Sequence, residues 1–136
     1  MPQNALAKIH ELLAAKGYAV TESTDSGLRI QETDSGLTIQ GELQGEILFF
    51  SLVCATVPST RITAALMHKM LDVKNGVSTS HFQVAAVSGG QSAISLNNFC
   101  KLQELGPDDE DDILSCVSFL MADVIHARDL LAADLQ

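Results

Sequence analysis

Basic side chains are scarce in this chain. Eight Lys and Arg stand against 17 Asp and Glu in 136 residues, a net charge of −9. Gripping the phosphate backbone of nucleic acid needs a basic face, so that partner is excluded. Long apolar runs are missing too. None approaches the roughly 18 or more residues of a membrane-spanning helix. The longest, Ile47 to Val57, is broken by Ser51 and Thr56 and reads as a buried strand. Met1 to Lys16 is amphipathic and too polar for a secretion-signal core. Cysteine is limited to Cys54, Cys100 and Cys116, widely spaced and each inside an apolar pattern. That usage fits reduced, buried thiols in a cytoplasmic protein. There is no Cys-x-x-Cys and no histidine pair at metal-ligating spacing among His10, His68, His81 and His126. Gly89-Gly90 matches neither phosphate-loop pattern and reads as a hairpin turn. No metal and no cofactor is expected.

What is present is apolar substance and unevenly placed charge. Hydrophobic residues make up 46% of the chain, enough for a real core at this length. Residues 1–136 read as one domain. Residues 1–103 hold 8 acids and 7 bases, a net of −1. Residues 104–136 hold 9 acids and the single base Arg128, a net of −8. Five of those acids are the run Asp108, Asp109, Glu110, Asp111 and Asp112.

The patterning predicts an α+β fold. A first helix is expected over Ala5 to Lys16, with Asn4 as N-cap and Gly17 closing it. Its apolar face is Leu6, Ile9, Leu12 and Leu13. A weak strand follows over Tyr18 to Glu22. Two copies of an Asp-Ser-Gly turn then lead into Leu-x-Ile strands, at Asp25 to Ile30 and Asp34 to Ile39, which reads as consecutive hairpins. Glu46 to Val57 alternates Ile47, Phe49 and Val53 with Leu48, Phe50, Leu52 and Cys54. A strand apolar on both faces is expected to be central and covered on both sides. Pro58 stops it, and Ser59 caps a second helix to about Val73, with a stripe of Ile62, Leu66, Met70 and Val73. Strands are expected over Thr79 to Val87 and Ser92 to Leu96, with Asn97-Asn98 turning into a further strand from Phe99 to Leu105. After Gly106-Pro107 a long helix runs from Asp108 to about Ala133. Its opening acids sit where the helix dipole favours negative charge. The predicted order is α-β-β-β-α-β-β(-β)-α, three helices with an antiparallel sheet of five to six strands.

Chemistry-bearing residues do not assemble into a motif. Each histidine alone reads as a surface or half-buried residue. Cys100, beside Lys101, is the best placed thiol for a nucleophile, but acidic surroundings oppose its ionisation. An enzyme using that cysteine or a histidine in an unrecognised pocket is the alternative to a binding protein. The Asp-Ser-Gly triplets carry one carboxylate each and read as turns. The acid run reads first as a solvated helix start, and second as a contact for a cation or a basic partner.

What remains is apolar surface. A doubly apolar strand and a last helix apolar over most of its girth exceed what three helices can cover. Phe50, Leu52, Met67, Leu71, Phe119, Met121 and Ile125 are therefore the candidate dimer or partner surface, with Asp108 to Asp112 as the candidate acidic contact. Phe49, Phe50, Leu52, Leu66, Met70, Phe82, Val117, Leu120 and Val124 are expected to be buried in the assembled protein.

The order of elements, the small size, the pI near 4.6 and the acidic, apolar last helix resemble the class I type III secretion chaperone fold. Val57 to Val73 followed by Ser78 to Val87 resembles the central helix-then-strand block of the YjfI-like family of small bacterial proteins. The resemblance implies a cytoplasmic homodimer that binds an extended segment of another protein. It supplies no catalytic residues. The two Asp-Ser-Gly hairpins add a strand to the usual three before the second helix.

Overall fold

The computed structural model describes the backbone of residues 2–135, and side chains from Ala5 onward. The first helix, α1, spans Pro2–Ala15. It begins before Asn4, which therefore lies inside it rather than capping it; that side chain falls outside the described set. The other end follows expectation. Gly17 takes φ +95°. The Gly17 N–H donates to the Ala14 carbonyl at 3.0 Å and the Tyr18 N–H to the Leu13 carbonyl at 3.3 Å. This paired closure needs a left-handed residue at position 17, where glycine carries no Cβ penalty.

Four strands follow: β1 (Ala19–Glu22), β2 (Gly27–Gln31), β3 (Thr38–Gln44) and β4 (Ile47–Pro58). Asp25 and Ser26 fall in the turn before β2, which Gly27 opens, and Asp34-Ser35-Gly36 falls in the connection before β3. A 3-10 turn at Ser59–Arg61 leads to α2 (Ala64–Leu71). This helix is shorter than predicted at both ends. Its cap is Thr63, whose hydroxyl accepts from the Leu66 N–H at 3.1 Å, rather than Ser59. Val73, expected in the stripe, lies past the helix and is 96% exposed. Then come β5 (His81–Val87), β6 (Gln91–Lys101) and α3 (Pro107–Leu131). Gly89 and Gly90 both adopt positive φ in the three-residue connection between β5 and β6.

The strands form one antiparallel sheet of six, ordered β1-β2-β3-β4-β6-β5. The expected turn at Asn97-Asn98 does not exist. Both residues sit mid-strand in β6, paired with Ser51 and Phe50. Asn98 faces the helices, where its Nδ2 donates to the Cys116 carbonyl at 2.9 Å. Tertiary pairing thus overrides the turn preference of asparagine. A bulge between Val53 and Ala55 sets Cys54 out of register, so Ala55 and Val57 return to the helix side.

Helices α1 and α3 pack on one face of this sheet. Cross-strand rows of Leu28, Phe50 and Asn98, of Ile30 and Ile39, of Leu43, Leu48 and Cys100, and of Leu52, Leu96 and Phe82 fill that face. The core closes over them with Leu6, Ile9 and Leu13 of α1, Leu66 and Met70 of α2, and Ile113, Val117, Leu120 and Val124 of α3. Eight of the nine residues expected to be buried are so within the single chain; Phe49 remains 38% exposed. The expectation that β4 is covered on both sides is therefore corrected. Helices cover one face only.

Candidate protein-binding surfaces

The seven candidate surface residues separate into three groups. Phe50 and Leu52 are each 1% exposed and belong to the core. They offer no surface, because β4 turns them toward the helices. Met67 and Leu71 stand exposed on α2, at 42% and 78%. Phe119, 42% exposed, lies one helical turn before Asp123 on the same side of α3. Asp123 is buried and reaches toward β5: its Oδ2 accepts from the Thr79 hydroxyl at 2.7 Å and from the Ser80 hydroxyl at 2.8 Å. Met121, half-buried, and Ile125, 62% exposed, flank the opposite side. That side also carries Ser118, which hydrogen-bonds Tyr18. One continuous apolar face around α3 is thus resolved into a buried stripe with two separate shoulders.

A further apolar surface escaped the sequence reading. On the side of the sheet away from the helices, the register sets Glu42, Phe49 and Phe99 in one cross-strand row. Arg29, Gln40, Ser51, Asn97 and His81 form the next, and Val53, Ser95 and Gln83 a third. The Phe49 and Phe99 rings pair at 6.0 Å between centroids, tilted by 49°. Phe99 is 59% exposed and Val53 51%. Asn97 donates through Nδ2 to the Ser95 hydroxyl at 2.9 Å, a tie that settles the polar floor between them. Alternation in β4 already separates Phe49 and Val53 from Phe50. Which set the helices would cover is not written in the alternation. At the sheet edge, β5 leaves Val84 and Val87 at 41% and 44% exposed, and the strand carries no Asp, Glu, Lys or Arg. Uncharged edges of this kind invite pairing with another chain.

The acid run also divides. Asp109 is 1% exposed, and its Oδ2 accepts from the Gln103 N–H at 2.6 Å. It holds the β6–α3 loop, in which Glu104 and Leu105 both take positive φ. Asp109 is therefore a structural clasp and not an available contact. Asp108, Glu110, Asp111 and Asp112 are exposed. Glu110 also edges an open cleft of about 360 Å³ between α1 and α3, lined by Ile9, Leu12, Leu105 and Ile113 with Lys8 and Glu11.

The thiols sit in two environments. Burial pushes the Cys54 thiol up to about 11, against a smaller opposing pull from Arg128. Cys116 donates its S–H to the Phe99 carbonyl at 3.6 Å and accepts a hydrogen bond from Cys100. That bond, helped by burial, raises the Cys100 thiol. The same bond lowers the Cys116 thiol, against the opposing effects of burial and Asp112. Of the histidines, His10 lies 3.8 Å from Glu22, and His81 lies 3.4 Å from the Gln83 amide. Among the described residues, no three His, Cys, Asp or Glu side chains converge as a metal site. No described helix is long and apolar enough to cross a membrane.

No protein-family profile matches the chain, and no curated protein matches it. Solved structures do. YbjN from E. coli, to which a role in transcription regulation has been attributed, is similar with a TM-score of 0.66 at 12% identity, over 91% of this chain and 90% of that one. A chain of the heterodimeric ExoU–SpcU complex, from the type III secretion system of Pseudomonas aeruginosa, is similar with a TM-score of 0.55 at 22% identity, over 94% and 98%. At these identities the likeness establishes the fold: α+β and type III secretion chaperone-like, with the predicted strand–helix order.

Proposed function

We propose that this protein is a non-enzymatic, chaperone-like binding module of the cytoplasm, a homodimer that holds an apolar segment of a partner protein. One observation carries the reading. The sheet is sealed on its helix side, while its outer face presents Phe49, Val53 and Phe99 to solvent beside a polar floor that includes Glu42 and Arg29. Singly exposed apolar residues are ordinary on a protein surface, but a paired aromatic patch on a flat sheet face is a place to dock. The ExoU–SpcU likeness supports the reading, since that fold is found there in a complex with another protein. The likeness of Val57 to Val73 and Ser78 to Val87 to the YjfI-like family is consistent with it and assigns no reaction.

The second copy docks along α2 and the β5 edge. Self-association of a chain of net charge −9 must avoid setting acid against acid. Residues 59–87 carry Arg61, Lys69 and Lys74 against Asp72, with Lys69 paired to Asp134 at 2.8 Å, and Met67, Leu71, Val84 and Val87 supply the apolar contact there. The outer face remains for the partner, with apolar contact providing affinity and the exposed acids of α3 tuning association.

Sedimentation at micromolar concentration tests the first half. A species of twice 14.5 kDa that falls to a monomer in Leu71→Glu is expected. A wild-type monomer at that concentration refutes the dimer. Affinity capture from native cytosol with wild type and Phe99→Glu in parallel tests the second half. A partner retained equally by both variants removes the outer face from the proposal.

A further inference from the structure

We infer that Cys100 and Cys116 form an oxidisable dithiol, a modification site at which hydrogen peroxide closes an intramolecular disulfide between β6 and α3. The inference is independent of the binding role above. Asn98 and Cys100 lie two apart in β6 and so share its helix-facing side. Cys116 belongs to the buried stripe of α3 that packs there. Two bonds hold it in place. Its carbonyl accepts from Asn98 Nδ2 at 2.9 Å, and its thiol donates to the Phe99 carbonyl at 3.6 Å. The Cys100 side chain, on the same inward face of β6 as Asn98, lies beside the Cys116 sulfur. Each cysteine is 8% exposed, an opening suited to a small oxidant and closed to a bulky one.

The pair divides the labour that disulfide formation requires. The hydrogen bond from Cys100 favours the thiolate at Cys116 and keeps the proton on Cys100. Loss of its proton to solvent lets the Cys116 thiolate attack one peroxide oxygen. The O–O bond breaks, and the departing hydroxide takes up a proton to become water. This leaves a sulfenic acid on Cys116. The Cys100 sulfur then attacks the sulfenic sulfur. The S–O bond breaks, the Cys100 proton passes to the leaving hydroxide, and a second water departs. Two thiols have lost two hydrogens and two electrons, and one peroxide has become two waters. Asp109 and Asp112 oppose thiolate formation at Cys100, and Asp112 does so at Cys116, which slows the first step without altering its direction. Cys54, in the bulge of β4 with its thiol pushed up to about 11, has no such neighbour and stays reduced.

Native protein is treated with hydrogen peroxide, quenched, and digested without reductant. An intact mass lower by about 2 Da is expected. So are a cross-linked pair of peptides carrying Cys100 and Cys116, and a fall in free thiols under denaturant from three to one. Dithiothreitol reverses all three changes. In Cys100→Ser, peroxide treatment of the native protein followed by unfolding into dimedone traps a sulfenic acid on Cys116, whereas Cys116→Ser handled the same way yields no adduct on Cys100. Oxygen added without a cross-link overturns the inference. So does loss of Cys54 at the same rate, or a disulfide joining two chains. The wild-type digest needs no variant, so the test stands even where a serine variant fails to fold.

Discussion

Phe49 and Phe50 are neighbours in β4, equally large and equally apolar, yet their surroundings differ. Phe50 is 1% exposed under the helices, in a cross-strand row with Leu28 and Asn98. Phe49 is 38% exposed on the other side of the sheet, between Glu42 and the ring of Phe99. The same strands build both faces. The helix-covered face is a close-packed core, mostly leucine and isoleucine, and the open face mixes phenylalanine with serine, asparagine and glutamine and with the charged Glu42 and Arg29. The difference teaches that alternation alone sets large apolar side chains on both faces, and that helix cover decides which of them leave water.

The sharpest way to test that contrast is truncation on each face. Phe50→Ala is expected to lose roughly 3–5 kcal/mol, read from the denaturant midpoint, because the cavity forms in a close-packed layer. Phe49→Ala is expected to lose less than about 1 kcal/mol at low protein concentration. A loss at Phe49 matching that at Phe50 would mean the outer face is covered, and the asymmetry would be gone. The second largest effect is expected at Asp109. Asp109→Ala leaves the Gln103 N–H without its acceptor and frees a loop with two left-handed residues, for a loss of about 1–3 kcal/mol. Asp108→Ala, one residue away and exposed, should barely move the midpoint.

Cys54 gives a pH test of burial on β4. Its folded thiol is raised to about 11 from 9.0 in the unfolded chain. The stability it contributes is complete below pH 9.0 and is lost as pH rises through about 11, because the unfolded chain ionises first. Iodoacetamide labelling of native Cys54 should therefore be slow near neutrality and climb about tenfold per pH unit up to that range. Labelling that levels off below pH 9 would show the thiol to be solvated. The smallest effect is expected from changing Asp108, Asp111 and Asp112 together to Asn. This should shift the melting midpoint slightly at low salt and not at all at high salt, since exposed helix-terminal charges are screened. A salt-independent shift would show that these acids do more than begin a helix.

Much of the fold was legible. Leu6, Ile9 and Leu13 announced α1, Gly17 its end, the two Asp-Ser-Gly triplets their hairpins, and Gly106-Pro107 the start of α3. These signals are local, set by turn chemistry and periodicity over a few residues. The candidate site was legible only in part. Met67, Leu71, Phe119 and Ile125 are exposed as required, while Phe50 and Leu52 are core and Asp109 is a clasp. Asn97-Asn98 misled because their turn preference is local and their pairing partners lie about 45 residues earlier in the chain.

The sequence by itself determined the element types, the antiparallel α+β class and the concentration of net negative charge in the last helix and its approaches. Each depends on short-range pattern or on simple counting. Only the tertiary structure decided which face of β4 the helices cover, that β6 runs unbroken, that Asp109 turns inward, and that Cys100 meets Cys116. Those outcomes depend on register and on helix placement across the sheet. A strand apolar on both sides states that two faces exist. It leaves to packing the choice of the one that is closed.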